Sequence, residues 1–324
     1  MPDDLPDAGL QLDLLPVNAV IGFLKRDRRW PSALYKLGYR LTMIDQLVAA
    51  PSVGSAEVDV ICLKHKKDHA MLWECKSGKT LSEKQARVYA AVTGEDVQRT
   101  GNVTFARPAQ ASVEPVYCCL ETDKSAVINA LAAWGLTIPV IGLGRTAQLA
   151  SGRLLDAEAH DLFAAGFRLP PLEEVPRFLI ANVHTPKERI APALFATMVS
   201  FLRGQRGKFS IRHVLQETFP DWHCMGTDLR RYLSSAANDI VVELCKNELS
   251  DMARVLSAKS SPGEILIEFT VDVLGLNASA RTRTFQRLAR LAEGYSRRIR
   301  ENRPYEPGKE PESMWLPGFG PESN

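Results

Sequence analysis

The chain has 324 residues, 45% of them apolar and 24% charged, the make-up of a globular protein with room for two cores, which excludes a small scaffold stapled by disulfides or metal. Forty Lys and Arg against 38 Asp and Glu leave a formal charge of +2, so no molecule-wide positive field advertises a nucleic-acid partner and any basic surface is local. The six cysteines lack CxxC spacing, the start MPDDLPDAGLQLDLLPV is acidic and without a secretory pattern, and no apolar run reaches the roughly 18 residues of a membrane span; a cytoplasmic protein that does not enter a membrane is expected.

In chain order, 17–30 and 31–38 read as helix broken at Pro31, with Gly38 as a stop. Tyr39–Ala49, Glu57–Leu63 and Ala70–Lys76 have strand length and β-branched or aromatic content, and the turn-rich PSVGS joins the first two; together they predict a three-stranded meander. Thr80-Leu81-Ser82-Glu83 has the form of a capping box and starts a helix running to Val92. Val113–Leu120 then reads as a strand, Lys124–Trp134 as a helix and Ile138–Leu143 as a strand, an order that calls for a crossover between parallel strands. Beyond it Pro170, Pro171, Pro176 and Pro186 gather around one short helix, Asp156–Ala165, closed by Gly166.

The fold class is therefore α/β: a first domain over 1–150 with a mixed sheet flanked by helices, a linker with a short helix over 151–186, and a mainly helical second domain over 187–303. In that second domain Thr185-Pro186-Lys187-Glu188 starts a helix to Leu202 that Pro192 must interrupt. Helices over Ile211–Phe219 and Thr227–Glu248 follow, then strands Ala253–Ala258 and Glu264–Val273 joined by SSPG, which is the order of a winged helix. The tail over 304–324, rich in Pro, Gly and Glu, reads as disordered.

Chemistry concentrates in EVDVICLKHKKDHAMLWECKSGK. A hairpin centred between Lys66 and Lys67 sets Asp59 opposite Glu74, on one side of the sheet with Cβ atoms about 5 Å apart, close enough to share a divalent cation. Period 2 puts Lys76 on the face of Glu74 and turns Trp73 and Cys75 the other way. Such a trio can hydrolyse a phosphodiester: both carboxylates hold the metal, and the amine orients water or offsets developing charge. The alternative is a solvated strand face that happens to carry two acids and a lysine. Lys64, Lys66 and Lys67 crowd the hairpin tip, where a solubility role is favoured over phosphate contact.

These residues carry a resemblance. VDVICLK, followed fifteen positions after Asp59 by Glu74-Cys75-Lys76, resembles the D...ExK signature of the PD-(D/E)xK nuclease superfamily, and Gln85-Ala86-Arg87-Val88-Tyr89 resembles the QxxxY motif of its RecB-like branch. The resemblance covers 17–145. It implies a restriction-endonuclease-like sheet, Mg2+ (replaceable by Mn2+) bound by Asp59, Glu74 and the Cys75 backbone carbonyl, catalysis by Asp59, Glu74 and Lys76, and positioning of a nucleic-acid strand by Gln85 and Tyr89. Two departures stand out: Val58 occupies the place of the family's proline, and only Asp27, Asp45 and Glu57 offer themselves as weak further ligands.

The last helix carries eight Arg and two Glu between Arg281 and Arg303, with Phe285, Leu288, Ala292, Tyr295 and Ile299 forming one apolar stripe. Arg281, Arg283, Arg287 and Arg290 are the candidate phosphate contacts, and the stripe is a candidate seam for the protein's own core, a twin subunit or a partner protein. The expected function is a magnesium-dependent DNA endonuclease serving restriction, anti-phage defence or repair. The alternatives are a non-catalytic nucleic-acid-binding regulator using its winged helix, and a nuclease that cleaves RNA.

Overall fold

The protein is described by a computed structural model covering residues 14–204, 206–246, 249–251, 253–256, 265–270 and 278–300. They fall into two units: one holds the described residues up to Val183 together with Asp221–Arg231, the other His184–Pro220 and the described residues from Tyr232 onward.

The first unit runs α1 (Leu15–Phe23), α2 (Ala33–Lys36), β1 (Arg40–Ala50), β2 (Gly54–Lys64), β3 (His69–Lys76), α3 (Glu83–Ala91), α4 (Gly94–Arg99), β4 (Ser112–Leu120), α5 (Lys124–Ala133), β5 (Val140–Leu143), β6 (Thr146–Ser151), α6 (Ala157–Ala165) and β7 (Phe167–Arg168). Its seven strands lie side by side in sequence order. β1, β2 and β3 are antiparallel; β3, β4 and β5 are parallel, connected through helices; β6 and β7 return antiparallel. This is the expected mixed sheet flanked by helices. β3 is buried along almost its whole length because both faces are covered. On one face Ala86, Val88 and Tyr89 of α3 and Val127 and Leu131 of α5 pack with Ile61, Leu63, Ala70 and Leu72. On the other, Trp73 meets Phe163 of α6, which touches Phe23 of α1.

Several expectations are corrected. The cap of α3 is Ser82, whose hydroxyl accepts the N–H of Gln85 at 3.3 Å; Thr80 does not cap, because Leu81 packs against the core ahead of the helix. A capping box does exist at Thr93 and Asp96, where it starts α4. The stretch read as a linker over 151–186 holds α6 and β7, which belong to the first unit, and the division falls after Val183. β6 is not announced by the sequence, because only part of this next-to-last strand is buried, which leaves a weak alternation in TAQLAS. Lys64 is 6% exposed rather than a hairpin-tip lysine. Its ammonium pairs with Asp156 (2.9 Å), the residue that caps α6, and with Glu158.

The second unit comprises α7 (Lys187–Arg203), β8 (Lys208–Ser210), α8 (Ile211–Thr218), most of α9 (Thr227–Lys246), β9 (Ala253–Leu256), β10 (Leu266–Phe269) and α10 (Ala278–Arg300). β8, β10 and β9 form a small antiparallel sheet in that order. Helices followed by a β9–β10 pair reproduce the winged-helix element order. α7 passes through Pro192 without a break: a helix-interior proline costs about 3 kcal/mol, whereas burying Ile190, Leu194, Phe195, Met198 and Phe201 returns roughly 1.5–3 kcal/mol for each large side chain. α10 packs along α7 with Leu288 and Leu291 buried, so Leu288 of its apolar stripe serves the protein's own core. The side chains of Ala292, Tyr295 and Ile299, the SSPG turn and the 304–324 tail lie outside the described residues. Among the described residues, no helix is long and apolar enough to cross a membrane.

Candidate active site

β2 and β3 pair from Lys64↔His69 to Val60↔Trp73, the register assumed from the sequence. Just past that ladder, Oδ2 of Asp59 accepts the N–H of Cys75 at 2.6 Å, which brings this acid to the root of Glu74. Glu74 is 3% exposed and its two oxygens are both engaged: Lys76 pairs with Oε1 and the Tyr89 hydroxyl lies on Oε2. Gln85, one helical turn before Tyr89, donates from Nε2 to the Tyr89 oxygen and to the Glu57 carbonyl (3.2 Å). The Tyr89 hydroxyl also touches that carbonyl. A phenol has one proton, so Tyr89 donates to Glu74 while that acid is ionised and to the Glu57 carbonyl when Glu74 holds the proton itself.

Asp59, Glu74, Cys75, Lys76, Gln85 and Tyr89 are thus brought together in the first unit. The strand-positioning role that the resemblance implies for Gln85 and Tyr89 meets a different geometry: Tyr89 is buried and the polar atoms of both turn inward, toward Glu74 and the Glu57 carbonyl. Tyr89 bonds Glu74 directly, and Gln85 reaches it only through Tyr89.

The electrostatics are those of crowded, dehydrated acids. Burial first, and then the charge of Glu74, push the Asp59 carboxyl well above the usual carboxylate range, against the opposing pull of the Cys75 N–H and Lys76; Asp45 adds to the rise. Glu74 is also raised, by burial, although Lys76 and Tyr89 draw it back. Burial pulls the Lys76 ammonium down, but Glu74 and Asp59 outweigh it and leave its pKa above the ordinary value. The acidic neighbours of Lys76 thus favour its ammonium form.

Three further acids, Asp45, Glu57 and Asp228, complete the cluster. Asp45 lies between Ile44↔Val60 and Gln46↔Val58 in the β1–β2 ladder, across from Asp59, and adopts a left-handed φ of 55°. Burial, then the neighbouring Glu57 carboxyl and Asp228, push its pKa up to about 8. Its Oδ2 is buried and accepts no hydrogen bond. Counting across the β1–β2 hairpin would have placed Asp45 beside Asp59, but nothing local in the sequence announces Asp228.

The cation implied by the resemblance can be tested against these groups. Among the described residues, no three His, Cys, Asp or Glu side chains are already arranged to hold a metal ion; Lys76, Tyr89 and the Cys75 N–H occupy oxygens that would ligate one. The donor set nonetheless fits a hard divalent cation: carboxylate oxygens whose charges oppose one another, and one buried oxygen, Oδ2 of Asp45, with no partner.

The candidate phosphate contacts lie elsewhere, on α10 of the second unit. Arg283 and Arg290 are exposed; Arg287 is paired with Asp251 at 2.9 Å; the side chain of Arg281 lies outside the described residues.

Compared with known families, residues 14–126 match the MJECL32 domain, about a third of the chain and the part that holds every acid of the cluster except Asp228. No curated protein and no solved structure matches.

Proposed function

We propose that the protein is a magnesium-dependent nuclease, with Mn2+ able to substitute, that acts as an endonuclease on DNA. The observation that carries this reading is the meeting of Asp59, Glu74, Lys76, Gln85 and Tyr89 at the open end of the β2–β3 ladder. Hairpin register and the packing of α3 on the sheet bring these residues together, but burying two acids side by side opposes folding, so their presence there argues for a role beyond packing.

Asp59, Glu74 and the Cys75 carbonyl would hold the cation, which supplies Lewis acidity toward a phosphoryl oxygen and lowers the pKa of water. Lys76, kept charged by its acidic neighbours, orients the attacking water or offsets charge developing on the phosphate. Tyr89, itself bonded by Gln85, fixes the Glu74 carboxylate, so that its direction is set before substrate arrives. A specific observation also favours the non-catalytic reading, since Lys76 and Tyr89 already satisfy both oxygens of Glu74.

The two readings part in one experiment. The purified full chain is incubated with supercoiled plasmid, linear duplex and RNA, with Mg2+ or with EDTA. Nicking of plasmid that needs Mg2+ and falls about a hundredfold or more in Glu74→Gln is expected. No cleavage of any polymer, or cleavage indifferent to EDTA and to Glu74→Gln, overturns the proposal, and cleavage confined to RNA changes its substrate.

A further inference from the structure

Asp45 owes its place to a segment far away in the sequence. Residues Asp221–Arg231 belong to the first unit, and Met225 bridges Ile44 in parallel fashion while the N–H of Gly226 donates to the Ile44 carbonyl at 2.7 Å. The backbone approach is so close that a Cβ on Gly226 would stand 1.8 Å from the carbonyl oxygen of Asp45 and 2.8 Å from its carbonyl carbon. Only glycine can occupy 226 without moving β1, because the atoms met are backbone and cannot swing aside. The other end of the segment is pinned by Lys25, whose ammonium meets both oxygens of Asp221 at 2.6 and 2.5 Å. Cys224 and Met225 are buried between these fixings. Opposite this contact Asp45 holds its left-handed backbone, a conformation that a non-glycine residue keeps only when its surroundings impose it.

We propose that Asp221–Arg231 is a positioning clamp, with Gly226 at its point of closest approach, that holds β1 kinked at Asp45 and so keeps the Asp45 carboxyl beside Asp59 and Glu57 in the cation-binding cluster. The clamp rests on the proposed function only for the cation. Gly226 and Asp221 are not members of the acid cluster; they act through Asp45, beside which the same segment carries Asp228.

The test uses the full chain and two readouts, amide hydrogen exchange and Mn2+ affinity by calorimetry. In Gly226→Ala, peptides covering 40–50 and 221–231 exchange at least tenfold faster while those of β3 to β5 do not change, and Mn2+ affinity falls at least fivefold. Asp221→Asn, which loosens the pinned end without adding an atom at the close contact, gives the same signature more weakly and decides the matter if Gly226→Ala does not fold. Asp45→Asn, whose side chain tolerates a positive φ, lowers Mn2+ affinity with exchange unaltered. Unchanged exchange in both clamp variants overturns the clamp. Loosened exchange with unchanged Mn2+ affinity, or a wild-type chain that binds no Mn2+, overturns its role toward the cation. A wild-type chain that binds Mn2+ but cleaves nothing removes the nuclease reading alone, and the clamp is still decided by the other two measurements.

Discussion

Asp59 sits where its proton is hard to lose, and this has a consequence for stability with a definite sign. A carboxyl whose folded-state pKa is raised contributes most to stability below its unfolded value near 4, and that contribution is lost as the pH climbs through the folded pKa. At pH 8 the fold therefore carries an acid it would rather keep neutral. Asp59→Asn, which retains an oxygen to accept the Cys75 N–H, should stabilise the protein by about 1–2 kcal/mol at pH 8. The advantage should shrink toward pH 4, as read from urea unfolding at the two pH values. A difference that does not vary with pH would show that Asp59 is ionised without cost. The residues of this centre differ in how legible they are. Asp59, Glu74 and Lys76 follow from strand period, and Gln85 and Tyr89 from helix period, because each lies on a regular element whose geometry the sequence encodes locally. The place of Asp45 beside Asp59 follows from the β1–β2 count, whereas its left-handed backbone is announced by no nearby glycine.

Among the elements, the connection between β2 and α6 shows why a sequence pattern can name a helix and still misplace its role. Asp156 was readable as the start of α6, but its carboxylate also receives Lys64 from the far end of β2 and, at 3.3 Å, Lys67. It is buried. Its pKa is lowered to about 2: burial opposes the shift, and the hydrogen bonds from Lys64 and Ala159 outweigh it. A depressed carboxyl stabilises the fold above its unfolded pKa near 4, and that stability is lost as pH falls through the folded value. Unfolding followed by denaturant between pH 4.5 and pH 2 should lose about 2 kcal/mol from this group, and Asp156→Ala should flatten that part of the profile. At neutral pH the same variant should cost about 2–4 kcal/mol, because it removes a helix cap and leaves the buried Lys64 ammonium with the exposed Glu158 as its remaining carboxylate beside the Tyr39 ring. A variant as stable as wild type at pH 7 would mean that the Lys64 pair is screened by water. The sequence shows α6 as a short helix but not its place in the first unit, since the contacts that recruit it span some ninety residues and leave no mark on local periodicity.

For the whole molecule, two units divide the chemistry that the sequence joins: acids gather in one, and the Arg-rich α10 belongs to the other. Deleting α10 would be a poor probe of binding, because Leu288 and Leu291 are part of its packing on α7 and their loss exposes that core. Arg287 is little better, being tied to Asp251. Arg283 and Arg290 are exposed on the same helix, so replacing both by Gln removes two charges and little else. If both contact phosphates, binding to a short DNA duplex measured across a salt series should lose about 0.9 unit of log-log slope per contact, or roughly 1.8 for the pair. Each contact releases condensed counterion, so affinity should fall most at low salt and the wild-type and variant curves should converge as salt rises. Far-UV circular dichroism and unfolding midpoint should stay within error of wild type, since exposed positions away from caps and cores seldom move stability by more than about 0.5 kcal/mol. An unaltered slope in a folded double variant would remove these arginines from the substrate path and leave α10 as a helix whose basic face only keeps the chain in solution.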